Sequence, residues 1–299
     1  PDHGLLNLSP TENADLFELT IGGYGLTGII VSARIRLTPL GGVTVEETTI
    51  PLFDIQDACD KVWEYGQTED IAYAWIDLAR PQSRNIRGFL KIGRMVEGGA
   101  FTKQAGVAPC LDPSAARIRL PLLSGPFLPL INRAYYFSGV RRKKTLTPLY
   151  SALFPVIGKE FYFDWYGEQG FIEHQIILPF EARKSYFPKF DALRKKHNVS
   201  VGLTTLKASK GQGKYLHYDR DGLNFTIDIA NSAPNREFLH ELDFIDTDHG
   251  AITNLIKDSR ISAKVAKSQY RDYTAFRSAL VNFDPKRIMQ TALSKRLEL

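Results

Sequence analysis

The feature that most constrains the fold is the order of strand and helix patterns in the second half of the chain. Alternating or continuous apolar runs predict strands, and apolar residues at helical spacing predict helices. The predicted elements are, in order, a strand over 171–178, a helix over 181–196, strands over 199–206 and 223–229, a helix beginning at Pro234 and a short strand over 252–256. This β-α-β-β-α-β order is typical of the split βαβ arrangement. The sequence therefore predicts an α+β fold, in which an antiparallel sheet carries its helices on one face.

A block earlier in the chain repeats part of this pattern. It comprises a strand over 43–50, a helix from Asp54 to Gly66, and strands over 71–78 and 86–95. We expect Asp54 to cap the helix and Gly66 to end it. The apolar residues of the helix recur at i, i+3, i+4 and i+7, which places Cys59 on the core-facing stripe and argues against a catalytic thiol. We expect this block to extend the same sheet.

Composition excludes several classes of protein. The chain has 299 residues, 43% of them hydrophobic, and two cysteines, Cys59 and Cys110. It is too apolar for a disordered chain, it has too few cysteines for a disulfide framework, and no histidine lies at zinc-ligand spacing from either cysteine. No apolar run reaches the roughly 18 residues that a membrane span requires. We predict neither a metal site nor a transmembrane segment.

Charge is less decisive. The net charge of +5 invites a nucleic-acid interpretation, but the cations are scattered except for Arg141-Arg142-Lys143-Lys144. That group suits nucleic acid, anionic lipid or a phosphorylated substrate, and a solvated loop is the commoner explanation. The surrounding region, 98–170, is rich in proline and aromatic residues, as lids and binding loops are. Exposed aromatics there would suit an apolar ligand tail or a membrane surface, and packing over the sheet explains them equally well. We predict no nucleic-acid partner.

The two ends of the chain carry patterns of their own. A strand-like apolar run covers 29–37, a helical pattern covers 262–281, and Asp284 followed by Pro285 predicts the start of a last helix. The chain does not begin with methionine, and we expect it to be a piece of a longer protein.

A dense cluster of glycines lies within Ile21–Ile30, at Gly22, Gly23, Gly25 and Gly28. Glycine costs conformational entropy, so such a cluster marks left-handed backbone or a ligand that lies against bare backbone. A tight turn between two packed elements explains the same pattern.

Three short segments carry candidate chemistry. Alternation along Glu173-His174-Gln175 puts the first and third side chains on one face of a strand and the histidine on the other. Lys207 ends an apolar strand beside the Asn224-Phe225-Thr226 strand, and Lys257 follows the buried run Leu255-Ile256. A lysine at a strand end usually extends to water. A flavin enzyme, however, needs a cation near the pyrimidine end of the ring, where reduction places negative charge.

Together these segments resemble the decaprenylphosphoryl-ribose 2-oxidase family, which consists of FAD-linked oxidases of the vanillyl-alcohol-oxidase type. The resemblance runs from end to end of the chain, and its most specific parts are the Lys-Asp-Ser-Arg motif and the C-terminal segment. The matching segments are Asp15-Leu16-Phe17 with the glycine cluster, Ala74-Trp75-Ile76-Asp77, Gly170-Phe171 leading into Glu173-x-Gln175, Leu206-Lys207, Asn224-x-Thr226-x-Asp228, Lys257-Asp258-Ser259-Arg260, and Asp284-Pro285 through Leu299.

The resemblance implies FAD as cofactor and assigns roles to individual residues. Lys257 lies against the flavin and the substrate, Lys207 is a second active-site lysine, and Asn224 orients the substrate. Flavin contacts come from Gly22, Gly23, Gly25, Thr27, Gly28 and Gln175, and substrate contacts come from Asn254, Thr226, Glu173 and Trp75.

The resemblance also implies a reaction and partners. The reaction is oxidation of the 2-hydroxyl of a polyprenyl-phosphate-linked ribose in cell-wall biosynthesis, after which a separate NADH-dependent reductase completes the epimerisation. The protein would be cytoplasmic or would contact the inner membrane peripherally. It would divide into a partial FAD-binding domain, 1–42 with 252–299, and a substrate domain, 43–251. The family's N-terminal half, which holds the pyrophosphate and adenosine, has no counterpart here, so we expect this chain alone to hold FAD weakly or not at all.

Three positions depart from the family pattern. Asn254 stands in place of a tyrosine, Thr226 in place of the cysteine that covalent inhibitors attack, and Glu173 in place of a glutamine. These departures concern the sugar substrate and inhibitor sensitivity more than the flavin chemistry. Two alternatives stay open: a soluble sugar or alditol oxidase, and a catalytically silent structural or binding module whose lysines only solubilise strand ends.

Overall fold

The computed structural model describes residues 4–83, 86–97, 119–141, 143–155, 159 and 161–299. Cys110 and Arg142 lie outside the described residues. The described strands are Thr44–Leu52 (β1), Ile71–Ile76 (β2), Gly88–Val96 (β3), Lys144–Pro148 (β4), Phe171–Leu178 (β5), Leu203–Gln212 (β6), Arg220–Ala230 (β7) and Ile252–Thr253 (β8). The described helices are Ala14–Thr20 (α1), Ile55–Tyr65 (α2), Leu128–Arg141 (α3), Leu149–Leu153 (α4), Phe161–Asp164 (α5), Arg183–Lys196 (α6), Ala233–Asp248 (α7), Ala263–Gln269 (α8), Tyr273–Phe283 (α9) and Ala292–Arg296 (α10).

The strands form one sheet in the order β4-β1-β3-β2-β6-β7-β5-β8, and its paired strands are antiparallel. The last four positions, β6-β7-β5-β8, have α6 between β5 and β6 and α7 between β7 and β8 along the chain. This is the predicted split βαβ arrangement. The earlier block joins it through the pairing of β2 with β6, so the α+β prediction and the extension of the sheet are both confirmed.

One face of the sheet is covered by α2, α6 and α7, and the main core lies between the sheet and these helices. The start of α2 shows why the helix begins where it does. The Asp54 carboxylate accepts hydrogen bonds from the backbone N–H groups of Gln56 and Asp57 at 2.8 and 3.0 Å, and the helix ends at Gly66 as predicted. Cys59 is fully buried in this core, in agreement with the predicted stripe.

The opposite face of the sheet carries α3 over β2 and β3. Tyr136 of α3 packs against Trp75 and Phe89, and the ring of Phe89 leaves room only for a glycine at position 139. The sequence analysis did not predict this helix, because its aromatic residues break a simple apolar stripe. In the part of the chain that the structure describes, no helix combines the length and the hydrophobicity needed to cross a bilayer.

The two ends of the chain share a second, smaller core. It joins α1 and the glycine turn (Ile21–Gly28) to β8, α8, α9 and the final residues. Leu19 and Leu26 lie in it together with Leu255, and Ile177 of β5 connects it to the sheet. The ends therefore pack together, and their assignment to an FAD-binding domain stays a prediction.

Several predicted elements differ in the structure. Residues 29–37 form no strand: Ile29, Ile35 and their apolar neighbours are exposed, and no described strand lies beside them to pair with their backbone. The predicted helix over 262–281 is two helices, because the extended backbone of Tyr270 directs its buried hydroxyl to the Thr253 carbonyl at 2.6 Å.

The last helix, predicted to be capped by Asp284, begins seven residues later. Asp284 accepts a hydrogen bond from the backbone N–H of Met289 at 3.0 Å, and Arg287 is left-handed, which interrupts helical geometry. The last helix, α10, is capped by Thr291, whose hydroxyl and that of Ser294 satisfy each other's backbone N–H groups. The predicted strand over 252–256 is also shorter, because Asn254 begins a turn after Thr253.

Candidate active site

The candidate site lies on the sheet face that α2, α6 and α7 leave uncovered. Its side chains come from β5, β6 and β7, whose pairing sets Glu173 opposite Asp228, Gln175 opposite Thr226, and Lys207 opposite Asn224. Side chains of residues that are directly opposite in an antiparallel pair start about 5 Å apart. The pleat turns His174 to the helix face, where it is buried, as the alternation predicted. Local strand patterns thus bring five of the predicted site residues into one cluster.

A chain of amide groups crosses the centre of this cluster. The side-chain amide of Asn254 donates to Gln175 Oε1 at 2.6 Å, and Gln175 Nε2 donates to Asn224 Oδ1 at 3.0 Å. The Thr226 hydroxyl also donates to Asn224 Oδ1, at 3.4 Å. Asn254 is fixed in turn by its own backbone N–H, which donates to the Gln175 carbonyl at 2.8 Å. The four side chains form a preorganised polar surface.

Lys257 reaches the same surface from the turn that follows β8. Its backbone N–H donates to the Asn254 carbonyl at 3.2 Å, and its Nζ lies 2.5 Å from Glu173 Oε1. The side chain is 46% exposed, whereas that of Glu173 is 25% exposed. The carboxylate thus holds the ammonium at the open side of the cluster.

Lys207 supplies a second ammonium. Its pKa is lowered, first by partial dehydration and then by the like charge of Lys257, while Glu173 acts in the opposite direction. Both ammonium groups therefore lie in the same region, where negative charge that develops beside them would be stabilised.

Asp228 is the group that the sequence analysis did not single out. The residue is 4% exposed, and its Oδ2 accepts a hydrogen bond from the Tyr162 hydroxyl at 2.9 Å. Among the described residues, Oδ1 has no hydrogen-bond partner. Tyr162 and Tyr166 share a hydrogen bond of 2.7 Å. Burial, and then the charge of Glu173, raise the pKa of Asp228 to about 7. The strand alternation Asn224-x-Thr226-x-Asp228 indicated the face, but its tyrosine partner is 66 residues away.

The glycine turn has both structural and open positions. A side chain at Gly22 would meet the ring of His217, and one at Gly23 would lie 2.2 Å from the Leu19 carbonyl. Gly25 and Gly28 have positive φ, of 72° and 143°, and no atom of the described residues lies within 4 Å of where their side chains would be. The first two glycines are explained by packing, while Gly25 and Gly28 leave bare backbone open on one side.

Two further predicted contacts lie in different surroundings. The Thr27 hydroxyl is 2.9 Å from that of Thr20, inside the turn. Trp75 is 2% exposed beneath α3, next to Tyr135 at a ring-centroid distance of 4.9 Å. Trp75 pairs with Thr205, two residues from Lys207, so it lies beside the candidate site. Because α3 covers its ring, it does not line an open surface.

The rest of the Lys-Asp-Ser-Arg motif anchors the turn. The Asp258 carboxylate accepts from the backbone N–H groups of Arg260 and Ile261 and from the Arg296 guanidinium. Arg260 extends to the helix face and forms a bidentate pair with Asp243 of α7, at 2.6 and 2.7 Å. Lys257 therefore projects from a turn that is tied to both faces of the sheet.

The buried cluster of His174, Asp243 and Asp246 has donor atoms close enough for a metal ion, within 4.8 Å of one another. Protein groups already use these atoms: Arg260 donates to Asp243 and to His174 Nδ1, and the Tyr186 hydroxyl donates to Asp246. Because a guanidinium can only donate, His174 Nδ1 accepts and its Nε2–H donates to Asp246. The arginine occupies the place that a cation would take.

Comparison with known proteins shows that this chain is similar to an oxidase. No family model matches the chain. The chain is 26% identical over 313 aligned residues to decaprenylphosphoryl-beta-D-ribose oxidase of Mycolicibacterium smegmatis (strain ATCC 700084 / mc(2)155). The match covers 96% of this chain and 64% of the relative. The chain thus spans somewhat less than two thirds of the relative's length. The resemblance carried by the motifs is confirmed, and the chain is a protein similar to decaprenylphosphoryl-beta-D-ribose oxidase.

Proposed function

We propose that the protein is an FAD-dependent oxidoreductase that oxidises the 2-hydroxyl of a polyprenyl-phosphate-linked ribose. The observation that carries this proposal is the position of Lys257, which Glu173 holds at the open side of a polar cluster that also contains Lys207. The similarity to decaprenylphosphoryl-beta-D-ribose oxidase supports an oxidoreductase. The flavin cofactor and the 2-hydroxyl of the sugar go further than that similarity and are part of our proposal.

The residues present fit a flavin. Gly25 and Gly28 offer open backbone on the turn, and Leu26 between them packs in the same core as Leu255 and Ile177, each two residues from a site side chain. When bound, FAD supplies the acceptor for a hydride. Lys257 and Lys207 would stabilise the negative charge that reduction places at the ring edge, because fixed cations stabilise charge that develops during a reaction.

The neighbouring groups would position the substrate. Gln175, Asn224 and Asn254 offer amide donors and acceptors in a fixed network, which can orient a sugar hydroxyl without reorganisation. Asp228 holds a proton at Oδ1 below about pH 7, since Oδ2 already accepts from Tyr162. We further propose that a separate NADH-dependent reductase uses the ketone product, and that 1–42 with 252–299 belong to the flavin-binding domain.

The test uses the full-length protein that contains this chain. Flavin bleaching is followed anaerobically after mixing with polyprenyl-phosphoryl-ribose, for the wild type, Lys257→Met and Lys264→Met. Lys264 is exposed on α8 and serves as the matched control. We expect Lys257→Met to reduce the bleaching rate about 100-fold or more, as loss of one charge-stabilising group does, and Lys264→Met to leave it unchanged.

Other outcomes separate the alternatives. Equal bleaching by free ribose or an alditol would favour a soluble sugar oxidase. Absence of bleaching with every substrate, in protein that holds flavin, would leave only a binding or structural module. An unchanged rate in Lys257→Met would remove the role assigned to that lysine.

A further inference from the structure

Two carboxyl groups lie side by side on the open face of the sheet. Glu173 of β5 and Asp228 of β7 are directly opposite in the antiparallel pairing, so their side chains start about 5 Å apart. The Glu173 side chain is 25% exposed, whereas Asp228 is buried. Because like charges oppose each other at this distance, the two groups lose their protons in two steps that belong to both residues together. We name these two residues the carboxyl pair.

The surroundings tune the carboxyl pair to neutral pH. Burial, and then the charge of Glu173, raise the pKa of Asp228 to about 7. The hydrogen bond from Tyr162 and the charge of Lys257 act in the opposite direction, with a smaller effect. A general base is most effective when its pKa lies near the pH at which the enzyme works. The last proton of the carboxyl pair therefore leaves at a pH that suits proton transfer.

The other ionisable groups that face the carboxyl pair do not compete for this role. Burial, and then the charge of Glu173, raise the pKa of Tyr218 in the loop between β6 and β7. Burial and the charge of Asp228 likewise raise the pKa of Tyr166, which follows α5. Neither phenol therefore ionises to act as a base at neutral pH. Lys207 of β6 also lies within reach of the charge of Glu173, and the proposed function uses this lysine as a cation.

Each member of the carboxyl pair has one oxygen held and one oxygen free. The Lys257 ammonium lies 2.5 Å from Glu173 Oε1, and among the described residues Glu173 Oε2 has no hydrogen-bond partner. The Tyr162 hydroxyl donates to Asp228 Oδ2, and within the same part of the chain Oδ1 has none. The held oxygens fix the orientation of both groups. Because Glu173 is the more exposed member, a hydroxyl on the open side meets its Oε2 first.

We propose that Glu173 and Asp228 together form the proton acceptor for the substrate hydroxyl, and that Glu173 is the member that touches it. This inference rests on the proposed function, because oxidation of a hydroxyl requires a group that accepts its proton. In this step the O–H bond of the hydroxyl breaks and its proton passes to Glu173 Oε2. The C–H bond of the same carbon breaks and its hydride passes to the flavin, so the carbon–oxygen double bond forms. The carboxyl pair gains one proton, and the electron pair leaves with the hydride.

The first test measures protonation directly and does not depend on turnover. Infrared spectroscopy of the full-length protein follows the C=O stretch of a protonated carboxylic acid as the pH is raised. In the wild type a signal should be lost as the pH passes through about 7. This signal should be absent from Asp228→Asn. In Glu173→Gln it should be lost at lower pH, because the charge that opposes ionisation of Asp228 has been removed.

The second test measures the reaction in the full-length protein. Flavin bleaching by polyprenyl-phosphoryl-ribose is followed anaerobically at several pH values, and the wild-type rate should rise as the pH passes through about 7. Glu173→Gln should reduce the rate above this pH about 100-fold or more, as loss of a general base does. In Glu173→Ala, formate supplies a carboxylate in the space that the side chain leaves, so the rate should rise in proportion to formate concentration. Chloride at the same ionic strength should not raise it.

A matched control and the folding of each variant make the outcomes decisive. Glu168 is an exposed glutamate that pairs with Arg119 at 3.2 Å, so Glu168→Gln should match the wild type in both tests. Thermal unfolding and flavin absorbance show whether each variant is folded and holds flavin. In such protein, an unchanged rate in Glu173→Gln, an infrared signal that Glu173→Gln does not move, or no rescue by formate overturns this inference alone. Absence of bleaching in the wild type overturns the proposed function together with it.

Discussion

The buried carboxyl of Asp228 makes protein stability depend on pH in a direction that can be calculated. Its pKa in the folded protein is raised from 3.8 to about 7 because burial disfavours the charged form. The folded state therefore holds this proton more tightly than the unfolded state. The contribution to stability is greatest at low pH and is lost as the pH rises from about 4 through about 7.

The magnitude follows from the two pKa values. Each pKa unit is worth about 1.36 kcal/mol, so full ionisation of Asp228 costs about 4 kcal/mol relative to the protonated form. Between pH 5 and pH 8 the loss is about 3 kcal/mol.

The perturbation is Asp228→Asn, which removes the titration and keeps an oxygen that can accept the Tyr162 hydroxyl. The assay is urea unfolding of the wild type and the variant at several pH values between 5 and 8. The stability of the wild type minus that of the variant should fall by about 3 kcal/mol across this range. Other groups titrate in both proteins and cancel in the difference.

The control is Asp248→Asn, which removes an exposed carboxyl from the end of α7. Its difference from the wild type should not change with pH. A flat difference for Asp228→Asn would refute the reasoning, because it would mean that the carboxyl is charged in the folded protein throughout. A difference that rises with pH would have the wrong sign for a raised pKa and would refute it equally.

Two further predictions concern packing and buried charge. Gly23→Ala should cost about 3 kcal/mol of stability because its methyl group would overlap a helix carbonyl. Gly25→Ala only places an alanine in a left-handed conformation and should cost about 1 kcal/mol. Equal shifts of the thermal unfolding midpoint would contradict the geometry of the turn. Arg260→Met should cost about 3–5 kcal/mol of stability because it leaves Asp243 buried without its partner. Arg271→Met changes an exposed position and should alter stability little. The same urea unfolding midpoint for both variants would show that the buried pair is dispensable.

Local patterns predicted much of the sheet and part of the site. The alternation in β5 gave its bounds and the face of Glu173 and Gln175, because strand periodicity is fixed by the backbone. The cap at Asp54 also fixed the start of α2. These features depend on near neighbours in the chain, so the sequence is sufficient for them.

Features that depend on distant partners were not predicted. The run over 29–37 has strand composition but no paired strand in the described structure, because pairing is decided by the other strand. The environment of Asp228 depends on Tyr162, which a separate short helix brings to it. The break at Tyr270 likewise depends on a carbonyl in β8. In each case the deciding contact is made across the fold and leaves no periodic signal.

The motif that begins at Lys257 passes from the open side of the sheet to the helix layer within four residues, since Arg260 is locked to Asp243. A substitution that breaks the Arg260–Asp243 pair in the helix layer should therefore also displace Lys257 on the open side of the sheet. Random mutagenesis that screens for lost turnover should recover changes at Asp243 and Asp246, although both carboxylates lie on the helix side of the sheet, away from the candidate site. Inhibitor resistance, which must preserve turnover, should avoid them.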